Sequence, residues 1–191
     1  DVMAEKYLPS VGLISGGLFY KKIDDFIYVY TEDDYVDPVS GNTYDEFFQP
    51  RNGASANLFG AEFAFQRRLD ILGDLFKYFN FYANYTYTYS TTDNPVLNDQ
   101  VDGDEDIELP GTAPHIVNAN LTYENEKLTV GLSFNYSAAY LDPDELDLTP
   151  GLERYYDSVV RLDLNGSYAF TPYLRLFFEA NNLTNQPLRY Y

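Results

Sequence analysis

One alternating stretch constrains the fold more than anything else in the chain. From Tyr156 to Phe170, Val160, Leu162, Leu164, Tyr168 and Phe170 alternate with Arg161, Asp163, Asn165 and Ser167. A period of two puts the two sets on opposite faces of a strand. Thr171 and Pro172 reverse the chain. Leu174, Leu176, Phe178 and Ala180 then alternate with Tyr173, Arg175, Phe177, Glu179 and Asn181. Strands of soluble sandwiches average about 5–6 residues, while a tilted strand crossing an outer membrane takes about 9–11. The long arms predict a membrane-spanning hairpin, with its apolar face toward lipid and its Arg, Asp and Asn toward a wet lumen.

The same period recurs along the chain. It predicts strands over Val2–Leu8, Leu13–Tyr30, Asn52–Leu69, Tyr78–Ser90, Ala113–Tyr123 and Lys127–Leu141, ahead of the two arms of the hairpin. The phase slips around Lys21–Asp25, where a bulge is expected. Connections alternate in length. Residues 9–12, 70–77, 124–126 and 171–172 are short, while 31–51, 91–112 and 142–155 are long. Brief turns on one side and long loops on the other are the outer-membrane arrangement. The fold expected is all-β, an antiparallel up-and-down transmembrane β-barrel of which this chain supplies about eight consecutive strands.

Charge follows the connections. The net charge is −18, and the three long connections carry eighteen of the thirty acids. Such a balance argues against a nucleic-acid partner. Mean hydropathy is −0.36, and no run approaches the roughly 18 apolar residues of a membrane helix. Neither observation speaks against a barrel, whose strands average out in hydropathy. The absence of Cys removes disulfides and thiolate metal sites. Twelve of the 20 Tyr lie toward strand ends, where an amphipathic ring suits the headgroup level; high strand propensity is the blander explanation.

Catalytic motifs are missing. His115 is the one histidine, so there is neither HExxH nor a His cluster, and no G-x-S-x-G occurs. His115, beside Pro114 at a strand start, reads as structural. Asn98 to Leu109 carries Asp102, Asp104 and Asp106 near the spacing of a calcium loop, but Leu109 stands where the bidentate Glu belongs. It fails as an EF-hand and leaves only a weak Ca²⁺ candidate; a solvated acidic loop is the alternative. No cofactor is implied. Ligand contacts are expected from aromatics at the long connections: Tyr35, Tyr44, Phe47, Phe48, Tyr140, Tyr155 and Tyr156. Glu62, Arg161, Asp163, Arg175 and Glu179 are expected to line the lumen.

Several segments, in order, resemble one family. LRLFFEANNLTNQPLRYY, with Asn182, Leu183, Thr184, Asn185, Pro187 and Tyr190–Tyr191, resembles the region near the C-terminus of TonB-dependent outer-membrane receptors. SGGLFYKKIDDFIY, the Gly60-Ala61-Glu62 step and LPGTAPH agree with it. The SGGLFYKKIDDF style is closest to carbohydrate-type and Bacteroidetes-like members. The resemblance implies a 22-strand barrel with an internal plug, importing a scarce nutrient such as an oligosaccharide or a siderophore–iron complex. It implies outer-membrane lipid, TonB acting through the plug, a small nutrient ligand and a surface lipoprotein as partners. On this reading residues 1–191 are a partial barrel domain, without the plug and the final strand, and the protein is a receptor rather than an enzyme. The alternatives are a self-contained small barrel of structural or adhesive role and a soluble β-sandwich binding module.

Overall fold

A computed structural model describes residues 1–9, 12–53, 55–93, 108–143 and 154–191. The strands are β1 (Val2–Leu8), β2 (Gly12–Asp24), β3 (Ile27–Val36), β4 (Thr43–Asn52), β5 (Ser55–Arg68), β6 (Phe79–Asp93), β7 (His115–Glu124), β8 (Leu128–Ser137), β9 (Tyr140–Leu141), β10 (Tyr155–Tyr156), β11 (Val159–Thr171) and β12 (Leu174–Ala180). Eight of them form one sheet in the order β1-β2-β5-β6-β7-β8-β11-β12, and every neighbouring pair is antiparallel. Neighbours in space are therefore neighbours along the chain, except where β3 and β4 or β9 and β10 intervene. β1 and β12 are the two edges, so the sheet does not close on itself. This excludes a closed barrel of eight strands, and a single sheet is not a sandwich.

The register carries the alternation from strand to strand. Leu164 lies opposite Leu132 and Ala180, and Leu121 opposite Leu132 and Phe81. On the other face Asn84, Asn118, Asn135 and Arg161 follow one another across β6, β7, β8 and β11. A slip of one residue anywhere would turn leucines into the polar face. Side-chain amides reinforce the register. Asn118 Nδ2 donates to Asn84 Oδ1 at 2.8 Å, Asn135 Nδ2 donates to Asn118 Oδ1, and Asn120 Nδ2 donates to Ser133 Oγ at 2.9 Å.

The apolar face is banded. Phe79, Tyr123 and Tyr168 lie toward the short-turn end; Tyr20, Tyr87 and Tyr89 lie toward the other. Phe79 and Tyr89 are ten residues apart on β6, which at about 3.4 Å per residue and a tilt near 40° is roughly 25 Å, the height of a barrel's lipid band. His115 sits on this face, with its Nδ1 2.9 Å from Tyr85 OH and its ring 5.3 Å from that of Tyr87. That agrees with a structural role.

Two features depart from the sequence reading. The long strand expected over Leu13–Tyr30 breaks at Asp25, whose φ is +55°. The segment expected to be a 31–51 loop is instead most of a β-hairpin: β3 leaves the main sheet and pairs only with β4. Gly53 closes this excursion, donating its N–H to Phe26 O at 2.6 Å. A Cβ there would come within 2.5 Å of the Phe26 ring, so the crossing point needs glycine. The chain end adds a feature on which the sequence reading was silent. Beyond β12, Tyr155 and Tyr191 exchange backbone hydrogen bonds of 2.8 and 3.0 Å, adding a third strand-like segment beside β10.

A lipid-facing wall has little interior. Apart from glycines, the buried described residues are Ala56, Ser90, Thr92, Ala138, Leu141, Asp142 and Ser167. All but Ser167 lie toward the long-connection end, so the packed part of this molecule is its mouth.

Candidate functional site

The mouth is assembled from three separated pieces of chain. β9 and β10 pair Tyr140 with Tyr156 and Leu141 with Tyr155, and Tyr190 bridges to Tyr156. The rings follow the backbone. Tyr140 stacks on Tyr156 at 5.2 Å, Tyr156 meets Tyr190 at 4.6 Å, and Tyr155 stacks on Tyr191 at 5.8 Å. Three of the aromatics expected to touch ligand, Tyr140, Tyr155 and Tyr156, are thus brought into one cluster. Tyr190 and Tyr191 join it, which their distance in sequence concealed.

An ion pair holds this cluster in place. Asp142 is wholly shut off from solvent, and its Oδ2 takes Arg154 Nε at 2.6 Å and Arg154 Nη2 at 2.5 Å. The backbone closes the same ring, with Asp142 N donating to Arg154 O at 2.9 Å. Arg154 also lies 4.8 Å over the Tyr190 ring. A guanidinium that grips a carboxylate side-on and an aromatic ring face-on does what a lysine cannot. Arg154 was legible as the one base in an acidic connection, but nothing in the sequence names Asp142 rather than its neighbours as its partner. Gly111, at φ +76°, donates to Leu141 O at 2.8 Å, tying the LPGT segment to the same place.

The hairpin carries the other four expected aromatics. Tyr35 and Phe47 stack at 4.0 Å with 17° between planes. Strict alternation would place them on opposite faces, since Tyr35 is opposite Tyr44 and Phe47 opposite Glu32. Asp34 resolves this with φ +52°, which breaks the alternation. Asp34 and Asp45 would otherwise face each other as like charges. Tyr44 and Phe48 are exposed. At the tip, Asp37 accepts from Val39 N at 3.0 Å, Ser40 N at 3.2 Å and Ser40 Oγ at 2.5 Å. The Ser40 hydroxyl, then the Val39 amide, hold its carboxyl below the usual carboxylate range.

The five residues expected in the lumen share the polar face. Arg161 is opposite Asn135, Asp163 opposite Ser133, Glu179 opposite Asn165, Arg175 opposite Ala169 and Glu62 opposite Thr86. Arg175 Nη1 donates to Ser167 Oγ at 2.8 Å. Asp163 Oδ1 accepts the Asn182 N–H at 2.6 Å, which explains the Asn-Leu-Thr-Asn motif. Asn182 takes φ +55°, its Oδ1 accepts Gln186 N at 2.9 Å, and Thr184 Oγ1 donates to Val160 O at 2.8 Å. The motif is a knot that turns the chain off β12 and lays it along the outer end of β11. Beside Glu62, the small residues Ser15, Gly17 and Ala64 leave a hollow walled by Tyr82, Asn84 and Thr86. Gly60, one turn of the pleat away, is covered by Phe19, whose Cζ would lie 2.2 Å from an added Cβ.

The calcium candidates Asp102, Asp104 and Asp106 lie outside the described residues. Among the described residues, no group of three or more His, Cys, Asp or Glu could hold a metal ion. The chemistry of the arrangement is that of a surface: stacked rings and hydrogen-bonding groups at one end of a polar wall.

Comparison with known proteins places this geometry. A family model described as "TonB dependent receptor-like, beta-barrel" matches residues 4–183. No curated protein sequence matches the chain. Among solved structures, the copper transporter OprC is similar at 19% identity and TM-score 0.59, over 91% of this chain and 22% of that one. The siderophore receptor PiuA from Acinetobacter baumannii is similar at 17% identity and TM-score 0.60, over 95% and 23%. A mutant of the ferric enterobactin receptor PfeA from Pseudomonas aeruginosa is similar at 14% identity and TM-score 0.61, over 94% and 24%. The chain thus spans about a quarter of the length of these solved proteins, and at such identities the likeness is one of fold.

Proposed function

Because the chain belongs to the TonB-dependent receptor β-barrel family of the bacterial outer membrane, we propose that it forms part of the wall and mouth of a receptor that captures a scarce nutrient and imports it with TonB-derived energy. In that receptor a plug domain and further strands complete the barrel. The polar face, with Glu62, Arg161, Asp163, Arg175 and Glu179, lines the channel, and the tyrosine cluster stands at its outer rim. The observation that carries this reading is the sorting of the sheet: the strand ends that bound every long connection, and nearly all the packed side chains among the described residues, lie at one end of a one-layered wall.

The mouth's chemistry narrows the ligand. Exposed and stacked tyrosine rings present flat faces, and the long connections are strongly acidic. Acidic surroundings repel anions. A neutral ligand that offers flat apolar faces and hydroxyls, such as an oligosaccharide, fits better than an anionic chelate. The solved neighbours are named for copper and siderophores, which keeps a metal-carrying ligand as the second class to test. The test is growth of a strain lacking the gene, with single oligosaccharides as carbon source or under iron limitation, each repeated with TonB inactivated. Loss of growth on one nutrient, reproduced by TonB loss and by Tyr140→Ala with Tyr156→Ala, supports the reading. Unchanged growth in all arms overturns it.

A further inference from the structure

The LPGT segment at the outer end of β7 is a turn in its own right. Thr112 N donates to Leu109 O at 3.2 Å. Pro110 and Gly111 take the two central positions, with Gly111 at φ +76°, the type II arrangement. The last pair of the β6–β7 ladder is Tyr87 with His115, while β6 runs on to Asp93. The turn therefore has the free outer end of β6 on one flank. On the other flank is β9, where Leu141 O accepts the Gly111 N–H at 2.8 Å.

Two observations place this turn on the channel side of the wall. The first is its bond to β6. Leu109 N donates to Ser90 Oγ at 3.0 Å. Ser90 is opposite Leu58, two rows outward from the pair of Glu62 with Thr86, so it shares their polar face. The second is how burial divides between the faces. Ser90 is 5% exposed, whereas its lipid-facing neighbour Tyr89 is 53% exposed. Ala56 and Thr92, paired one row farther out on the polar face, are sealed, while lipid-facing Phe59 stays half-exposed. What covers this end of β5 and β6 thus lies in the channel, and the Leu109 amide is part of it. The seat is made of small side chains, Ala56 and Ser90, which leave room for a second layer of backbone.

We propose that the turn over Leu109–Thr112 is a fixed sill on the channel side of the mouth and sets the bulk of what can enter. It reaches from β6 past the end of β7 to β9, which at about 4.8 Å between strands is roughly 10 Å of the rim. Its own Pro-Gly turn, the Ser90 hydroxyl and the Leu141 carbonyl hold it at three points. A mouth narrowed in this way admits a slender ligand, such as a linear oligosaccharide, and turns back a branched or globular one. The inference deepens the proposed function. It rests on the polar face being a channel wall, but not on the identity of the nutrient or the source of energy.

Thiol access in whole cells tests the sill. In the full-length receptor, Thr86→Cys places a thiol on the channel face two rows below Ser90. N-ethylmaleimide and a maleimide carrying a polyethylene glycol chain are added from outside, and labelling is read against the receptor without that thiol. The small reagent is expected to react and the bulky one to lag. Adding Gly111→Val, which a positive φ does not accommodate, is expected to speed the bulky reagent about tenfold and leave the small one unchanged. Ser90→Ala, which removes one of three anchors, is expected to speed it about threefold. Heat-modifiable gel migration verifies that each variant is folded. Equal rates for both reagents before either substitution overturn the sill, as does a bulky reagent still excluded after both. Growth on the nutrient is read separately, so failure here and failure of the transport reading are distinguishable.

Discussion

The wall and the mouth of this molecule are held by different physics. The wall is one sheet whose order comes from ladders, register and a lipid-facing band, with scarcely a buried side chain between β1 and β12. The mouth is ordered by particular contacts: a buried carboxylate, a guanidinium shared between it and a ring, and tyrosines from three segments. Away from covered glycines such as Gly60 and Gly166, a wall defined by a two-residue period tolerates most substitutions that respect its face. A mouth defined by specific partners tolerates few. Recognition can thus diverge among receptors while the wall persists, in keeping with a shared fold at 14–19% identity to solved neighbours.

The sharpest break of the comparison is to put a charge on each face of one strand. Leu164 is outward at the middle of β11, and Asn165 is its inward neighbour. Leu164→Arg is expected to cost about 2–4 kcal/mol, the penalty of a cation at the bilayer midplane. Asn165→Arg is expected to cost close to nothing. Folded fraction by heat-modifiable migration reads both, and equal losses would sink the face assignment. Spin labels at Leu162 and Asp163 give the same contrast without a charge: lipid for the first, water for the second.

That contrast was legible in the sequence because the period of two is local. Each strand states its own faces, and Tyr156 to Phe170 needs no partner to do so. The break at Asp25 and the hairpin within 31–51 were missed for the same reason. The break at Asp25 is a matter of one backbone torsion, and the closure at Gly53 depends on where the Phe26 ring lies. The strand character of the hairpin was visible in Tyr44, Phe47 and Phe48, but their acidic neighbours read as a solvated loop. The mouth was half legible. Aromatic type and position pointed to Tyr140, Tyr155 and Tyr156, whereas the approach of Tyr190 and Tyr191 is a long-range event set by the knot at Asn182.

A smaller effect, confined to the mouth, is expected from Arg154→Ala. It leaves the Asp142 carboxylate buried without its guanidinium. Breaking a buried pair costs about 3–5 kcal/mol; Arg154 is itself about a third exposed, which brings the expectation to about 2–3 kcal/mol. The loss is local, because β8 and β11 keep their full ladder. Limited proteolysis between Asp142 and Tyr155 should accelerate about tenfold or more while heat resistance of the barrel is unchanged. A mouth as protease-resistant as the wild type would show that the ladder alone orders it.

The smallest effect asks whether the hairpin tip belongs with the wall or with the mouth. Backbone bonds from Gly41 N to Asp37 O at 2.8 Å and from Asp37 N to Asn42 O at 2.9 Å close the tip as a ladder would. The Asp37 carboxylate closes it a second time through Val39 and Ser40. Those bonds hold its pKa below the usual range, so their contribution is complete above the ordinary carboxylate pKa and is lost as pH falls through the lowered one. Amide exchange at Val39 and Ser40 should be slower in the wild type than in Asp37→Ala near neutral pH. The two should converge in acid, where protonation removes the acceptor that the substitution removes. A difference that persists unchanged into acid would assign the tip to its backbone bonds, and with them to the wall.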